Sequence, residues 1–136
     1  FRVSTFICYE IVYPELVRRY ARESDLMITI SNDSWFGDSL GPLQHLQMAR
    51  MRALENGRYL VRGTNNGITA VIDERGEVVA RLPQFRRGTL EAEARLMLGE
   101  TPFSSWGSKP TLVLCALLLL GVLAGGSMGL KLRHDQ

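Results

Sequence analysis

The chain has only two cysteines, Cys8 and Cys115, so no disulfide framework holds it together. One follows Phe-Ile and the other lies inside a long apolar run, which argues for two free thiols rather than a bridge. A basic stripe is also missing. Sixteen Lys and Arg stand against 14 Asp and Glu, mixed along the chain, for a net charge of +2. This lacks the footprint with which a nucleic-acid binder collects phosphates, and no nucleic-acid partner is expected. There is no internal repeat, low-complexity tract, glycine-rich phosphate loop, dinucleotide fingerprint or His/Cys cluster at metal-ligand spacing, so neither metal nor cofactor is expected. What is abundant is apolar material. With 46% hydrophobic and 22% charged residues in 136 positions, the chain has enough for the core of one domain, which excludes a disordered tail.

Charge is absent from one long stretch. Residues 110–130 (PTLVLCALLLLGVLAGGSMGL) carry none and are bracketed by Lys109 and Lys131. At about 1.5 Å per residue this run reaches across a hydrocarbon core of roughly 30 Å, and it predicts a transmembrane helix. Its C-terminal place excludes a signal peptide. Phe103 and Trp106 precede the run and Lys131, Arg133 and His134 follow it, as suits membrane interfaces. Gly121, Gly125 and Gly129 recur every fourth residue, which reads as a close-packing helix face or as the general glycine richness of membrane spans.

The remainder alternates between strand and helix patterns. In FRVSTFICYE, Phe1, Val3, Thr5 and Ile7 alternate against Arg2, Ser4 and Phe6, a strand already under way at the first residue, as expected of the C-terminal part of a longer protein. Pro14 opens a helix to about Glu23 with Leu16, Val17, Tyr20 and Ala21 on one face. Leu26–Ile30 reads as a buried strand, and Asn32, Asp33, Gly37, Gly41 and Pro42 mark a loop. A helix over Leu43–Asn56 is stopped by Gly57. Strands are predicted over Tyr59–Arg62 and Ile68–Ile72, then a turn at Asp73–Gly76 into a hairpin partner over Val78–Leu82. The alternation of Leu90, Ala92, Ala94 and Leu96 with Glu91, Glu93 and Arg95 favours an edge strand. The fold class is α/β.

Cys8 lies where a strand ends and a turn begins. A nucleophile there projects into a cleft while the next backbone N–H, that of Tyr9, is placed to donate to an oxyanion. Cysteine is also a small buried hydrophobe, and spacing alone favours that reading. Context shifts the balance. Cys8-Tyr9-Glu10 followed by Tyr13-Pro14-Glu15 resembles the nucleophile segment of the nitrilase (carbon-nitrogen hydrolase) superfamily. The segment NDSWFGDSLGPLQHLQMARMRALENGRYLVRGTNNGITAVIDERGEV resembles the apolipoprotein N-acyltransferase family within it, over about residues 1–96 and on into the terminal apolar run.

The resemblance implies a partial nitrilase-like αββα sandwich over residues 1–98, a juxtamembrane linker over 99–109, a transmembrane helix over 110–130 and a cytoplasmic tail over 131–136. It implies a Glu–Lys–Cys triad in which Cys8 takes an acyl chain from the sn-1 ester of a phospholipid as a thioester. The acyl chain then passes to the N-terminal diacylglyceryl-cysteine of an apolipoprotein, with Tyr9 as backbone oxyanion donor and Glu10 as support. The partners implied are the phospholipid donor, the apolipoprotein acceptor, the bilayer and the upstream part of the same polypeptide, which would carry the triad's Glu and Lys. Lys109 and Lys131 flank the apolar run and cannot be that Lys. The location implied is the bacterial inner membrane, with the catalytic part facing the periplasm. Two rivals remain: a membrane-tethered amidohydrolase of the same superfamily, and a non-catalytic anchored module with Cys8 in its core.

Other residues have competing readings. Glu10 is a loop-holding carboxylate or, less favoured, a base. His45 is a capping or surface residue rather than a thiol partner. Trp35 and Phe36 form a lipid-facing lid or ordinary packing. Arg50, Arg52 and Glu55 make a solvated or ion-paired helix face. Asn65, Asn66 and Gly67 form a tight turn.

Overall fold

The computed structural model describes the backbone of residues 1–132 and the side chains of residues 1–123. It divides into two compact units, Phe1–Ser105 and Trp106–Gln136. The first unit carries five strands: β1 (Val3–Ile7), β2 (Leu26–Asn32), β3 (Leu60–Asn65), β4 (Ala70–Ile72) and β5 (Val78–Arg81). They form one mixed sheet in the order β1-β2-β3-β4-β5. The first three strands are parallel, with Val3 opposite Leu26 and Met27 opposite Leu60, and the last two return antiparallel. Parallel neighbours need a crossover. Helix α1 (Pro14–Ala21) lies between β1 and β2, and helix α2 (Gly41–Asn56) between β2 and β3.

Local sequence explains where these elements begin and stop. Pro14 occupies the first turn of α1, where its missing N–H is no loss. The helix closes at Ala21, two residues short of the expected Glu23. Gly57 takes the left-handed conformation (φ 60°, ψ 41°) that ends α2, and its N–H reaches the carbonyls of Ala53 and Leu54. In the β4–β5 turn, Asp73 Oδ1 accepts the N–H groups of Arg75 (3.0 Å) and Glu77 (2.8 Å), and Gly76 supplies a φ of 78°.

The core sits between one sheet face and the two helices. Phe6, Met27 and Leu60 point from adjacent strands toward Val17 and Ala21 of α1 and toward Leu46, Ala49 and Ala53 of α2. The α2 residues recur at spacings of three and four, which is one helix stripe.

This burial corrects two expectations. In β1 the covered residues are Ser4 and Phe6, while Val3, Thr5 and Ile7 are exposed, the reverse of the face suggested by alternation. In β2 only Met27, Thr29 and Ser31 are buried, and Ile30 is exposed. Strands of a parallel sheet are apolar on both faces because both are normally covered. Within the first unit, α1 and α2 pack on the face that carries Phe6, Met27 and Leu60, and Val3, Ile7 and Ile30 on the other face are exposed. Tyr20 of α1 is likewise exposed. No strand forms over residues 90–96. Ala and Glu there have little β propensity, and the segment is tied at its end by the Met97 N–H, which donates to the Asp25 carbonyl (2.9 Å).

The second unit contains α4 (Lys109–Leu132), preceded by the short α3 (Pro102–Trp106). Among the described residues no helix is long and apolar enough to cross a membrane. The expected span over 110–130 runs past the last described side chain, so that Gly125, Gly129 and Lys131 lie outside the described side chains. Arg133 and His134 lie outside the described residues altogether.

Phe6 is 2% exposed at the centre of the core. Replacing it with alanine removes an aromatic ring from a packed site, for an expected loss of about 3–5 kcal/mol. Urea denaturation of the intact protein checks this through the shift in midpoint.

Candidate active site

The site is built where the parallel strands end. β1 stops at Ile7, and the chain turns at once into a 3₁₀ turn over Cys8–Val12. Cys8 sits at the corner with φ 51°, in the left-handed region. A non-glycine residue costs about 1–2 kcal/mol there, so something must hold it. Glu10 contributes from below: its Oε2 accepts the Ile7 N–H at 2.7 Å, closing the corner as a small loop. That bond fits the loop-holding reading of Glu10, whose carboxylate meets this main-chain N–H.

Cys8 is half-buried and reduced. It lines an open cavity of about 530 Å³ over the C-terminal ends of β1, β2 and β3, together with Ile7, Ile30, Ser31, Gly63 and Thr64. Ligands of open α/β sheets characteristically bind at this end of the strands. Tyr9, next in the chain, is exposed and packs edge-on against Tyr13, with ring centroids 5.7 Å apart.

Behind the corner lies a group of charged residues that composition and spacing did not reveal. Arg62 of β3 and Asp33, just after β2, form an ion pair with Nη2 to Oδ2 at 2.7 Å and both side chains 0% exposed. Asp33 Oδ1 accepts from the Ser31 hydroxyl at 2.6 Å and lies 3.0 Å from His45 Nδ1. Ser31 Oγ in turn lies 3.6 Å from Cys8 Sγ, and His45 Nε2 lies 3.3 Å from the Cys8 carbonyl oxygen. His45 is therefore a buried residue that meets the main chain of Cys8 and not its sulfur, which corrects the surface or capping reading.

Burial acts to raise the Asp33 carboxyl, but hydrogen bonds from His45 and Ser31 and the charge of Arg62 outweigh it and hold the group below its ordinary value. Burial also lowers the Arg62 guanidinium, and Asp33 opposes that fall. Arg62 Nε and Nη1 have no hydrogen-bond partner among the described residues. The signal that would have pointed to Arg62 is its place in an apolar strand, two residues from Leu60 and therefore on the same inward face.

Gly67 belongs to this group. A Cβ there would lie 2.8 Å from the Asp33 Cβ and nearer still to Oδ2, so only glycine lets the β3–β4 turn close over the carboxylate. Asn66 has a positive φ of 60° in that turn. Trp35 is 87% exposed, whereas Phe36 packs against the start of α2 at Gly41. Arg52 is buried rather than solvated. It donates to the Val12 carbonyl (3.0 Å) and pairs with Glu55 (2.7 Å), while Arg50 donates to the Gly76 carbonyl (2.7 Å). Among the described residues no group of His, Cys, Asp and Glu is arranged to hold a metal.

A thiol on a strained strand-to-helix corner, backed by buried polar residues, thus sits at the open end of a mixed sheet in an α/β protein. The carbon-nitrogen hydrolase family matches residues 1–101, and the chain belongs to that family, with its nitrilase-like α/β fold. It is 52% identical over 126 residues to the apolipoprotein N-acyltransferase of Pseudomonas putida, covering 93% of this chain and 25% of that protein. It is 53% identical over 124 residues to that of Shewanella oneidensis, covering 90% and 24%. The chain thus spans about a quarter of the length of these relatives. Among solved structures, an amidase from Nesterenkonia sp. is 25% identical with a TM-score of 0.54, over 65% of this chain and 35% of that one. A nitrilase-superfamily protein of Saccharomyces cerevisiae is 28% identical with a TM-score of 0.50, over 60% and 33%. Another structure of the Nesterenkonia amidase, with covalent addition at its active-site cysteine, is 25% identical with a TM-score of 0.50, over 59% and 33%.

The depressed Asp33 carboxyl sets a pH dependence. A carboxylate lowered in the folded state contributes stability that is complete above its unfolded value, near 4, and is lost as pH falls through its lower folded value. In Asp33→Asn that acid limb should flatten, at the cost of an unpaired buried Arg62. Thermal melts of the wild type and the variant from pH 7 down to pH 3 check the sign.

Proposed function

We propose that the chain is the C-terminal part of an apolipoprotein N-acyltransferase, with Cys8 as the acyl-carrying nucleophile. The observation that carries this is the Cys8 thiol on its strained corner beside an open cavity. About 50% identity to proteins of that name supports it, as does the reactive active-site cysteine of the amidase relative. In the first half-reaction the thiol gives its proton to a base and the thiolate attacks the ester carbonyl of a phospholipid. The S–C bond forms, the C–O bond breaks, and the lyso-lipid oxygen leaves with a proton. In the second, the α-amine of a diacylglyceryl-cysteine attacks the thioester, the N–C bond forms, and the thiol is released. The Tyr9 N–H donates to the oxyanion in both steps, and Glu10 supports the corner.

The base and a second oxyanion donor, the family's Glu and Lys, are supplied by the upstream part of the same polypeptide. That part also covers the exposed β1–β2 face at Val3, Ile7 and Ile30, completing an αββα sandwich over residues 1–98. Residues 99–109 link this domain to a membrane span over 110–130, and residues 131–136 form a cytoplasmic tail. The absence of charge between Lys109 and Lys131 and the helical course of α4 support the span. Both substrates live in a bilayer, and an inner-membrane enzyme facing the periplasm meets them there. The cavity beside Cys8 shares Thr64 and Asn65 with a second one bearing Arg86 and Arg87, whose charge suits a lipid phosphate.

Incubating the intact protein with phospholipid should give a Cys8 peptide heavier by one acyl chain and labile to hydroxylamine, and Cys8→Ala should abolish N-acyl product. Full turnover with unmodified Cys8 would end the assignment. Free fatty acid in place of N-acyl product would favour the amidohydrolase, as the amidase likeness allows.

Orientation is tested in spheroplasts. A membrane-impermeant thiol reagent should label unacylated Cys8, while a tag after Gln136 should resist external protease. Cleavage of that tag would reverse the topology.

A further inference from the structure

We propose that Asp33, locked by Arg62, positions Cys8 at two points: the sulfur through Ser31, and the Tyr9 N–H through His45. This rests on the nucleophile reading of Cys8 and adds four residues to it.

The first arm follows from counting protons. Ser31 has one hydroxyl hydrogen. At 2.6 Å from Asp33 Oδ1 against 3.6 Å from Cys8 Sγ, that hydrogen lies on the Asp33 side. An Oγ lone pair is then left toward the sulfur, where it accepts the thiol S–H and selects one direction for the side chain. Once the proton has left, the same hydroxyl can turn to donate to the thiolate, and Asp33 Oδ1 keeps His45 as its neighbour at 3.0 Å.

The second arm follows from the planarity of the peptide. The Cys8 carbonyl and the Tyr9 N–H belong to one peptide plane. In a trans bond they point in opposite directions, and the structure has no cis bonds among its described residues. The group that fixes the carbonyl therefore aims the N–H. His45 Nε2 faces that carbonyl at 3.3 Å, and because a carbonyl only accepts, the clamp is the tautomer in which Nε2 carries the hydrogen. His45 Nδ1 lies 3.0 Å from an acceptor, Asp33 Oδ1, and 3.2 Å from a donor, Arg62 Nη2. A bare Nδ1 accepts from Arg62, and a protonated one donates to Asp33. His45 and Asp33 touch no reacting atom and are positioning residues, whereas Ser31 touches the sulfur.

The two arms separate in a two-probe experiment on the intact protein. Iodoacetamide alkylates Cys8 by direct displacement and develops no oxyanion, whereas a p-nitrophenyl fatty-acyl ester acylates Cys8 through one. His45→Ala should slow acylation about tenfold or more while alkylation stays within about threefold of wild type, and His45→Gln, which keeps an N–H donor, should recover part of the loss. Ser31→Ala should slow both reactions together, and Ser31→Thr should restore them. Equal effects of His45→Ala on the two probes, or none on either, would overturn the His45 arm, and a neutral Ser31→Ala would overturn the other. If His45→Ala does not fold, His45→Gln carries the comparison, its acylation-to-alkylation ratio being expected above that of a misaimed site and at or below wild type. A wild-type ratio in His45→Asn, whose amide is too short to reach the carbonyl, would then refute the clamp. A wild-type Cys8 that alkylates but takes no acyl group would sink the function proposal and this inference with it. Normal acylation with unchanged variant ratios would sink the inference alone.

Discussion

The buried pair between Asp33 and Arg62 is the constraint on which the rest of the site depends. Two opposite charges at 2.7 Å with no exposure on either side do not add much net stability, because the desolvation of each ion consumes most of the attraction. Their value lies in what they forbid. Removing one partner leaves a charge stranded in the core, which costs about 3–5 kcal/mol, so any arrangement that separates β3 from the end of β2 is strongly disfavoured. The pair pins the register at the strand ends, where Ser31 and Asn32 lie opposite Thr64 and Asn65. It then lends Asp33's remaining lone pairs to Ser31 and His45.

From that anchor the strain at Cys8 becomes intelligible. A positive φ on a β-carbon residue persists only where its surroundings over-determine it. Here the Glu10 carboxylate holds the N–H before the corner, and His45 faces the carbonyl at it. The main chain is thus held on both sides of the thiol, by an acid that is exposed and an imidazole that is not. Exposure suits Glu10 because its bond is local. Burial suits His45 because its contact joins the corner after β1 to α2 across 37 residues of sequence.

Much of this was legible in the sequence, and the limits have physical causes. The strand-to-turn corner at Cys8, the proline start of α1, the Gly57 stop and the Asp73–Gly76 turn are local, and local rules found them. Alternation in β1 does not by itself mark the covered face, because each side mixes apolar and hydroxyl residues, Ser4 and Phe6 on one and Val3, Thr5 and Ile7 on the other. The edge strand expected over residues 90–96 rested on alternation without β-branched residues to support it. Asp33 and Arg62 are harder to read from sequence, because charged residues default to the surface and only long-range pairing, 29 residues apart, brings these two inside.

Gly67 shows how a local reading can be right in geometry and incomplete in cause. Asn65-Asn66-Gly67 is a tight turn, as turn chemistry implies, but the positive φ in it belongs to Asn66. Gly67 is needed for space, since a side chain there would collide with Asp33. The turn therefore packs directly on the acceptor that orients Ser31 and His45, and Asn65 and Asn66 donate to Ser34 Oγ at 3.4 Å and 3.2 Å on the far side of the same loop. The β3–β4 turn, the loop after β2 and the corner after β1 thus share one set of contacts. A change in any one of them is expected to reach the thiol through the Asp33 carboxylate rather than through the sheet.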